Sequence, residues 1–245
     1  MKDGKTLLAE GIEILCEGDE GINSLIAPRK NEILTLLNRY IQEIETFNPA
    51  YGLVGTTDSN ELVIKHMLDS IAPLGIIRKI LPRTTRTDTN EENRNMSASI
   101  ADAGSGAGLP GIPLAITLPE CSFTLIERMG RRAGFLFNTK AALALSNVSI
   151  EENELEKCVP LLAAQFDLIT FRAFKPLEPK LLKTLQKLLT PCGVIAAYKG
   201  KREKIEAEMA SLQGAQPSWE AIPCTVPFLE EERNLLVIKQ NCAKV

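Results

Sequence analysis

The run Ile100-Ala101-Asp102-Ala103-Gly104-Ser105-Gly106-Ala107-Gly108-Leu109-Pro110-Gly111 constrains this 245-residue chain more than any other stretch. An acid closes a short apolar segment, and four glycines follow within eight residues. Glycine serves where backbone turns sharply or approaches a ligand closely, because no Cβ intervenes. Pro110 and Pro113 come next, and proline is tolerated in a helix only in its first turn. The segment reads as strand, glycine-rich loop and helix start, the geometry of a nucleotide-type cofactor site at the top of an α/β sheet.

The sequence around this run supports a sheet of that kind. Strands are expected over 98–103, 122–127, 148–151, 167–171 and 194–198. Helices are expected between them over 112–118, 131–145, 153–162 and 177–189. Near-continuous apolar strands alternating with helices imply a parallel sheet covered on both faces. After a further helix over 202–212, strands 219–226 and 235–239 follow with no helix between them, so one strand should run antiparallel. The fold class is therefore α/β, a Rossmann-like, mostly parallel seven-stranded sheet with one antiparallel strand.

Upstream the pattern is helical. Residues 1–22 are mixed and acidic. Leu25, Ile33, Leu36, Leu37, Tyr40, Ile41 and Ile44 recur at helical spacing, which predicts a helix over 24–47 that Asn48-Pro49 ends. A second helix over 60–71 takes its cap from Asp58 or Ser59. Residues 82–97 are almost wholly polar and read as a flexible insert. The expected division is a helical region 1–81, a polar linker 82–97 and a cofactor-binding domain 98–245.

Charge and composition exclude several classes. A formal net charge of -3 gives no bulk attraction to nucleic acid, so a nucleic-acid partner needs a local basic patch. The six cysteines are scattered with no C-x-x-C pair, which argues for reduced thiols rather than a disulfide framework. With His66 as the single histidine, a metal site is not expected. No apolar run approaches the ~20 residues of a membrane span, and no signal-peptide core is evident. The expectation is a soluble cytoplasmic protein, monomeric and without membrane contact.

The glycine run satisfies two patterns. Gly104 to Gly108 reads G-x-G-x-G, and Gly106 to Gly111 reads G-x-G-x-x-G, so a nicotinamide cofactor must be weighed. A Walker A loop is excluded because no Gly-Lys-Ser/Thr follows. Glu127 ends the second strand ~20 residues past the loop, where a carboxylate accepts both ribose hydroxyls. Asp102 separates the cofactors. It repels a pyrophosphate, whereas S-adenosylmethionine (SAM) carries a cationic methionine end and no phosphate. Asn153-Glu154-Leu155-Glu156 follows the third strand, where adenine contacts usually lie in a SAM fold.

These residues in this order resemble the RsmG (GidB) family of bacterial 16S ribosomal RNA guanine-N7 methyltransferases. The resemblance rests on Asp102 through Pro113, Arg131-Arg132 before Phe135-Leu136, Asn147-Val148, Phe171-Arg172-Ala173-Phe174, Tyr198-Lys199-Gly200 and Glu232 through Lys239. Phe47 through Tyr51 and His66-Met67-Leu68-Asp69-Ser70 look like the family's helical-region motifs. The fold this implies is that of class I SAM-dependent methyltransferases. The resemblance implies SAM contacts at Gly104, Leu109, Leu155, Glu156 and Arg172, with Asp102, Gly106 and Glu127 in the same site. Gly52 stands where the family usually has Asn, and Arg131 replaces a usual Lys, which keeps charge but changes geometry.

The partner implied is 16S rRNA, the small ribosomal subunit or its assembly intermediate. Guanine N7 carries no proton, so attack on a methyl group needs no general base. His66 and Arg172 are the candidates nearest to catalysis. Arg128, Arg131, Arg132 and Lys199 are candidates for the RNA phosphates. Two alternatives stand beside this reading, a nicotinamide-dependent oxidoreductase and a non-catalytic ribosome-binding factor with a vestigial cofactor fold.

Overall fold

The computed structural model describes residues 3–81, 98–212 and 217–240. The polar stretch 82–97 lies outside the described residues. The acidic N-terminus, to which the sequence assigns no element, is helix α1 (Gly4–Gly18). Asp3 caps it, accepting from the Thr6 N–H at 2.8 Å, and Leu8, Ile12 and Leu15 turn inward. Asp19 caps α2 (Glu20–Ile26) through the Gly21 and Ile22 N–H groups.

The helix expected over 24–47 is in fact two helices. A 3₁₀ turn around Pro28 (Ala27–Arg29) separates α2 from α3 (Lys30–Tyr51). Helix α3 runs through Pro49 and stops at Gly52, whose φ of 58° is left-handed. Proline removes only one donor this near a helix end. The Asn48 side chain ties the following loop back, accepting from Val54 N–H and donating to Thr56 O, both at 2.9 Å. The second expected helix is continuous in space but not uniform. It comprises α4 (Ser59–Leu62), a π-helical turn (Val63–Leu68) and α5 (Asp69–Ile71), with Asp58 as its cap. Helix α6 (Leu74–Ile80) completes this part.

The seven expected strands all form, as β1 (Ser99–Ala103), β2 (Ser122–Ile126), β3 (Val148–Glu151), β4 (Phe166–Arg172), β5 (Leu189–Lys199), β6 (Ser218–Pro223) and β7 (Asn234–Lys239). They make one sheet in the order β3-β2-β1-β4-β5-β7-β6. Strands β1 to β5 pair parallel, and β7 runs antiparallel to both its neighbours. The intervening helices are α7 (Gly111–Thr117), α8 (Gly130–Ala142), α9 (Leu155–Leu162), α10 (Pro179–Leu188) and α11 (Arg202–Ala210).

Two apolar cores cover the two faces. Helices α7 and α8 and the N-terminal helices share one cluster with Ile100, Phe123, Leu168 and Val194. Helices α9, α10 and α11 pack on the other face, against Ala101, Ala103, Ile169 and Ile195. The strand period of two sorts these residues. Because Asp102 alternates with Ala101 and Ala103, it points to the α7 face along with Ile100. That one fact places the acid beneath the glycine loop's helix.

The cysteines depart from expectation at one position. Cys16 and Cys158 are buried thiols, but Cys192, exposed near the start of β5, is disulfide-bonded. No described helix is long and apolar enough to cross a membrane.

Candidate functional site

The loop between β1 and α7 is made almost wholly by backbone. Gly104, Gly106 and Gly108 take φ of 69°, 59° and 91°, a region that costs a side chain roughly 1–2 kcal/mol per residue. Gly104 and Ser105 donate to Ile126 O at 2.9 and 3.1 Å, which ties the loop to the end of β2. From below, the Tyr40 hydroxyl of α3 donates to Ala107 O at 2.6 Å. Burial raises the Tyr40 pKa well above its usual value, so it stays a donor. Leu109 is buried and joins Pro110 through a cis peptide bond.

Asp102 is fully enclosed. Its Oδ2 accepts from the Gly111 N–H at 3.0 Å, at the N-terminus of α7, and its Oδ1 is buried without a partner. A Cβ at residue 111 would lie 2.6 Å from Oδ2, so only glycine allows this approach. Burial pushes the carboxyl up to about 7, against the opposing pull of the Gly111 bond. The sequence reading makes Asp102 a charge compatible with the cationic end of SAM. The structure turns its carboxyl inward beneath Gly111, because its strand position faces α7.

Glu127 stands at the tip of β2 and is also buried. Its Oε2 accepts from Gly106 N–H at 2.9 Å and its Oε1 from Met129 N–H at 2.8 Å. Each oxygen keeps a further lone pair. Space is open beside Gly106, where a Cβ would meet nothing closer than Gly104 O at 4.0 Å. Gly104 is covered, and a Cβ there would run into the Phe174 ring. Leu155 is buried at the start of α9, and Glu156 is exposed beside it, 3.8 Å from Lys175. A carboxylate flanking an open backbone cradle suits the hydroxyls of a nucleoside's ribose.

The second part of the site lies beyond the ends of β4 and β5. A cavity of about 1360 Å³ opens there, lined by His66, Asp69, Arg172, Phe174, Lys199 and Arg233 among others. Arg172 ends β4 and reaches the π-helical turn. Its Nη1 donates to Asp69 Oδ2 at 2.7 Å and to Lys65 O at 3.1 Å. Its Nη2 lies 3.1 Å from His66 Nδ1. Arg233, just before β7, donates through Nε to Asp69 Oδ1 at 3.1 Å. Burial, then the adjacent Arg172 charge, pushes His66 down to about 4. The imidazole is therefore neutral at pH 7, with Nδ1 accepting from Arg172.

The structure thus gathers the sequence's candidates into two groups. Gly104, Gly106, Leu109 and Glu127 share the loop side, and Asp102 underlies it. His66, Arg172 and Lys199 share the cleft. The resemblance implies that Arg172 touches the cofactor, but the bonds named here tie it to the N-terminal helices. Lys199 is committed to Glu208, whose two oxygens lie 2.8 and 2.7 Å from Nζ, and it sits 5.9 Å above the Phe171 ring. An ammonium so neutralised is a weak phosphate ligand. Arg131 and Arg132 stand in the first turn of α8, away from the cleft lining, and Arg128 is exposed just before it. The sequence reading gave Tyr40 only as a helix residue, and Asp69 and Arg233 only within the family's motifs, none of them as a site residue. Asp69 carried one signal, an acid three and four residues after His66 and Lys65 on the same helix.

Sheet order, antiparallel β7, the glycine loop after β1 and the acid at the tip of β2 define the class I SAM-dependent methyltransferase fold. Solved structures agree at the level of fold. A SAM-dependent methyltransferase from Aquifex aeolicus superposes with a TM-score of 0.51 at 14% identity, covering 74% of this chain and 93% of that one. A predicted O-methyltransferase from Agrobacterium tumefaciens gives 0.50 at 18% identity, over 66% and 80%.

Within that class the chain belongs to the rRNA small subunit methyltransferase G (GidB) family, whose model matches residues 33–236. Proteins named ribosomal RNA small subunit methyltransferase G are similar along nearly the whole length. The one from Treponema denticola is 37% identical over 96% of both chains. That from Treponema pallidum is 39% identical over 97% of this chain and 95% of its own, and that from Escherichia fergusonii is 33% identical over 91% and 94%. The protein is an rRNA methyltransferase. The oxidoreductase and the vestigial binding factor are left without support.

Proposed function

We propose that the protein transfers the methyl group of SAM to N7 of a guanine in 16S rRNA, presented in the small subunit or an assembly intermediate. The choice of N7 rests on the family resemblance, and the observation compatible with it is the state of His66. The chain's single histidine is neutral, and its Nδ1 is taken by Arg172. A cleft whose histidine is so committed suits an acceptor that has no proton to remove.

When bound, SAM supplies a methyl group activated by a sulfonium. Glu127 keeps lone pairs for the two ribose hydroxyls, and the open side of Gly106 lets the nucleoside approach the backbone. Leu155 offers an apolar wall and Glu156 an acceptor for the adenine. Leu109 and Gly104 shape the methionine end, with the Asp102 carboxyl beneath them. Across β4, Arg172 faces the cleft that takes the RNA, and Arg131 and Arg132 add charge at the start of α8. Holding acceptor and donor in line supplies roughly 7–11 kcal/mol, enough to make positioning the main task of these residues. The reading carries with it a cytoplasmic site of action and a single-chain enzyme.

Mapping N7-methylguanine along 16S rRNA from cells with and without the gene tests this directly. One modified guanine should disappear and return on complementation. An unchanged map overturns the proposal.

A further inference from the structure

Phe174 stands where the glycine loop meets the cleft, and the reaction as described gives it no role. Its ring lies against Gly104, so close that a Cβ there would sit 2.2 Å from Cδ2. The same half-buried ring lines the cavity beyond β4 and β5. The chain fixes it from both sides. Ala173, just before it, has a φ of 49°, a left-handed conformation that a residue other than glycine keeps only where its surroundings impose it. After it, the Leu177 N–H donates to Glu208 Oε1 at 2.6 Å. Phe171 of β4 meets the ring in a T-shaped contact, with centroids 6.1 Å apart. Over the ring lies the Lys175 ammonium, 5.5 Å from its centroid, on a side chain that is 54% exposed. A face covered by a flexible, exposed lysine is open to a group that displaces it.

The charges of the cleft offer little grip on a phosphate. With His66 neutral, seven cationic side chains line it against five acids, and Glu61 and Glu156 pair with two of the seven from outside the lining. Arg172 and Arg233 are taken up by Asp69, and Lys199 by Glu208. Lys201 and Lys204 share the lining with Glu230, Glu231 and Glu232. What the cleft does offer beside the glycine loop is a flat apolar ring. Every base has a flat face, and stacking on an aromatic side chain is a common way to hold an unpaired one. From this geometry we infer that the target guanine stacks on Phe174, displacing the Lys175 ammonium, and is thereby held next to the cofactor loop. Arg172 keeps the cofactor contact that the resemblance implies. The inference rests on the proposed rRNA reaction.

The test uses purified full-length protein, SAM and small subunits from cells lacking the gene. Phe174→Leu keeps apolar bulk but loses the flat face, and Phe174→Tyr keeps both. In F174L, kcat should fall about tenfold or more, as expected for a lost stacking contact. The KM for subunits, and SAM affinity by calorimetry, should stay within about threefold of wild type, because the loss falls on alignment of the base. F174Y should keep kcat within about threefold of wild type. A wild-type kcat in F174L, an equal fall in F174Y, or SAM affinity falling in step with kcat overturns the inference. If F174L fails to fold, ultraviolet crosslinking of the wild-type protein to the subunits decides. An adduct between Phe174 and the methylated guanine supports the inference, and adducts that omit Phe174, or none, overturn it. Failure of wild-type protein to methylate any guanine N7 overturns the proposed reaction instead, and the wild-type assay keeps the two failures distinct.

Discussion

The glycine loop and the arginine cleft lie at the ends of adjacent strands, β1 and β4, yet they are built by opposite means. The loop is local. Within twelve residues, backbone N–H groups, positive-φ glycines and one buried acid make a surface to which few side chains contribute. The cleft is made of side chains that meet across more than a hundred residues, with Asp69, Arg172 and Arg233 contributed by three separate elements. A backbone site tolerates little change at its glycines. A side-chain site can lose one member and keep the fold, provided that its charges still balance.

The loop half of this comparison breaks most easily at residue 104. Gly104→Val places a branched side chain at a φ of 69° and drives it into Phe174. SAM binding should fall more than about 100-fold, beyond what strain of roughly 1–2 kcal/mol alone would give. Calorimetry on the folded variant measures it. Retained affinity would mean that the loop is not where the cofactor lies.

Glu127→Gln is the next largest effect. Both oxygens accept from backbone N–H groups, at Gly106 and Met129. Glutamine offers one acceptor and one donor, so one N–H is left facing an amide. An unsatisfied buried donor costs about 1–3 kcal/mol of fold stability, and the ribose loses one carboxylate oxygen as acceptor, so the SAM Kd should weaken as well, by roughly 5- to 150-fold if that charge-assisted bond contributes about 1–3 kcal/mol. RNA affinity should be untouched, and a parallel loss of RNA binding would erase the distinction between the two halves.

The difference in construction also explains what the sequence revealed. The loop, Glu127 and the seven strands were legible because each depends on local spacing: glycines after an apolar run, an acid at a strand end, period-two apolar stretches. Even the antiparallel β7 followed from a missing helix. The inward turn of Asp102 was available in principle from its alternation with Ala101 and Ala103, but only once the covering helix was known. The cleft was not legible. Nothing near Lys199 announces that Glu208 will neutralise it, and nothing near Asp69 announces Arg233. Helix α1 was hidden because its acids mask an apolar stripe. The end of α3 was misplaced because Pro49 is a weaker stop there than the left-handed Gly52.

The smallest expected effect compares the two halves through their protons. Asp102 on the loop side is raised to about 7 from an ordinary 3.8. Between those values the folded state holds a proton that the unfolded chain has released, so this group adds stability as pH falls. His66 in the cleft is lowered to about 4 from 6.5. Between those values the unfolded chain takes up a proton that the folded state refuses, so this group removes stability as pH falls. Over pH 4 to 6.5 the two slopes oppose each other. Relative to wild type, His66→Gln should therefore gain stability on going from pH 7 to pH 5, and Asp102→Asn should lose it. Thermal melts at the two pH values read the effect, at about 2–4 °C for each kcal/mol in a chain of this size. Tilts of the same sign in both variants would show that the loop and the cleft do not titrate as separate sites.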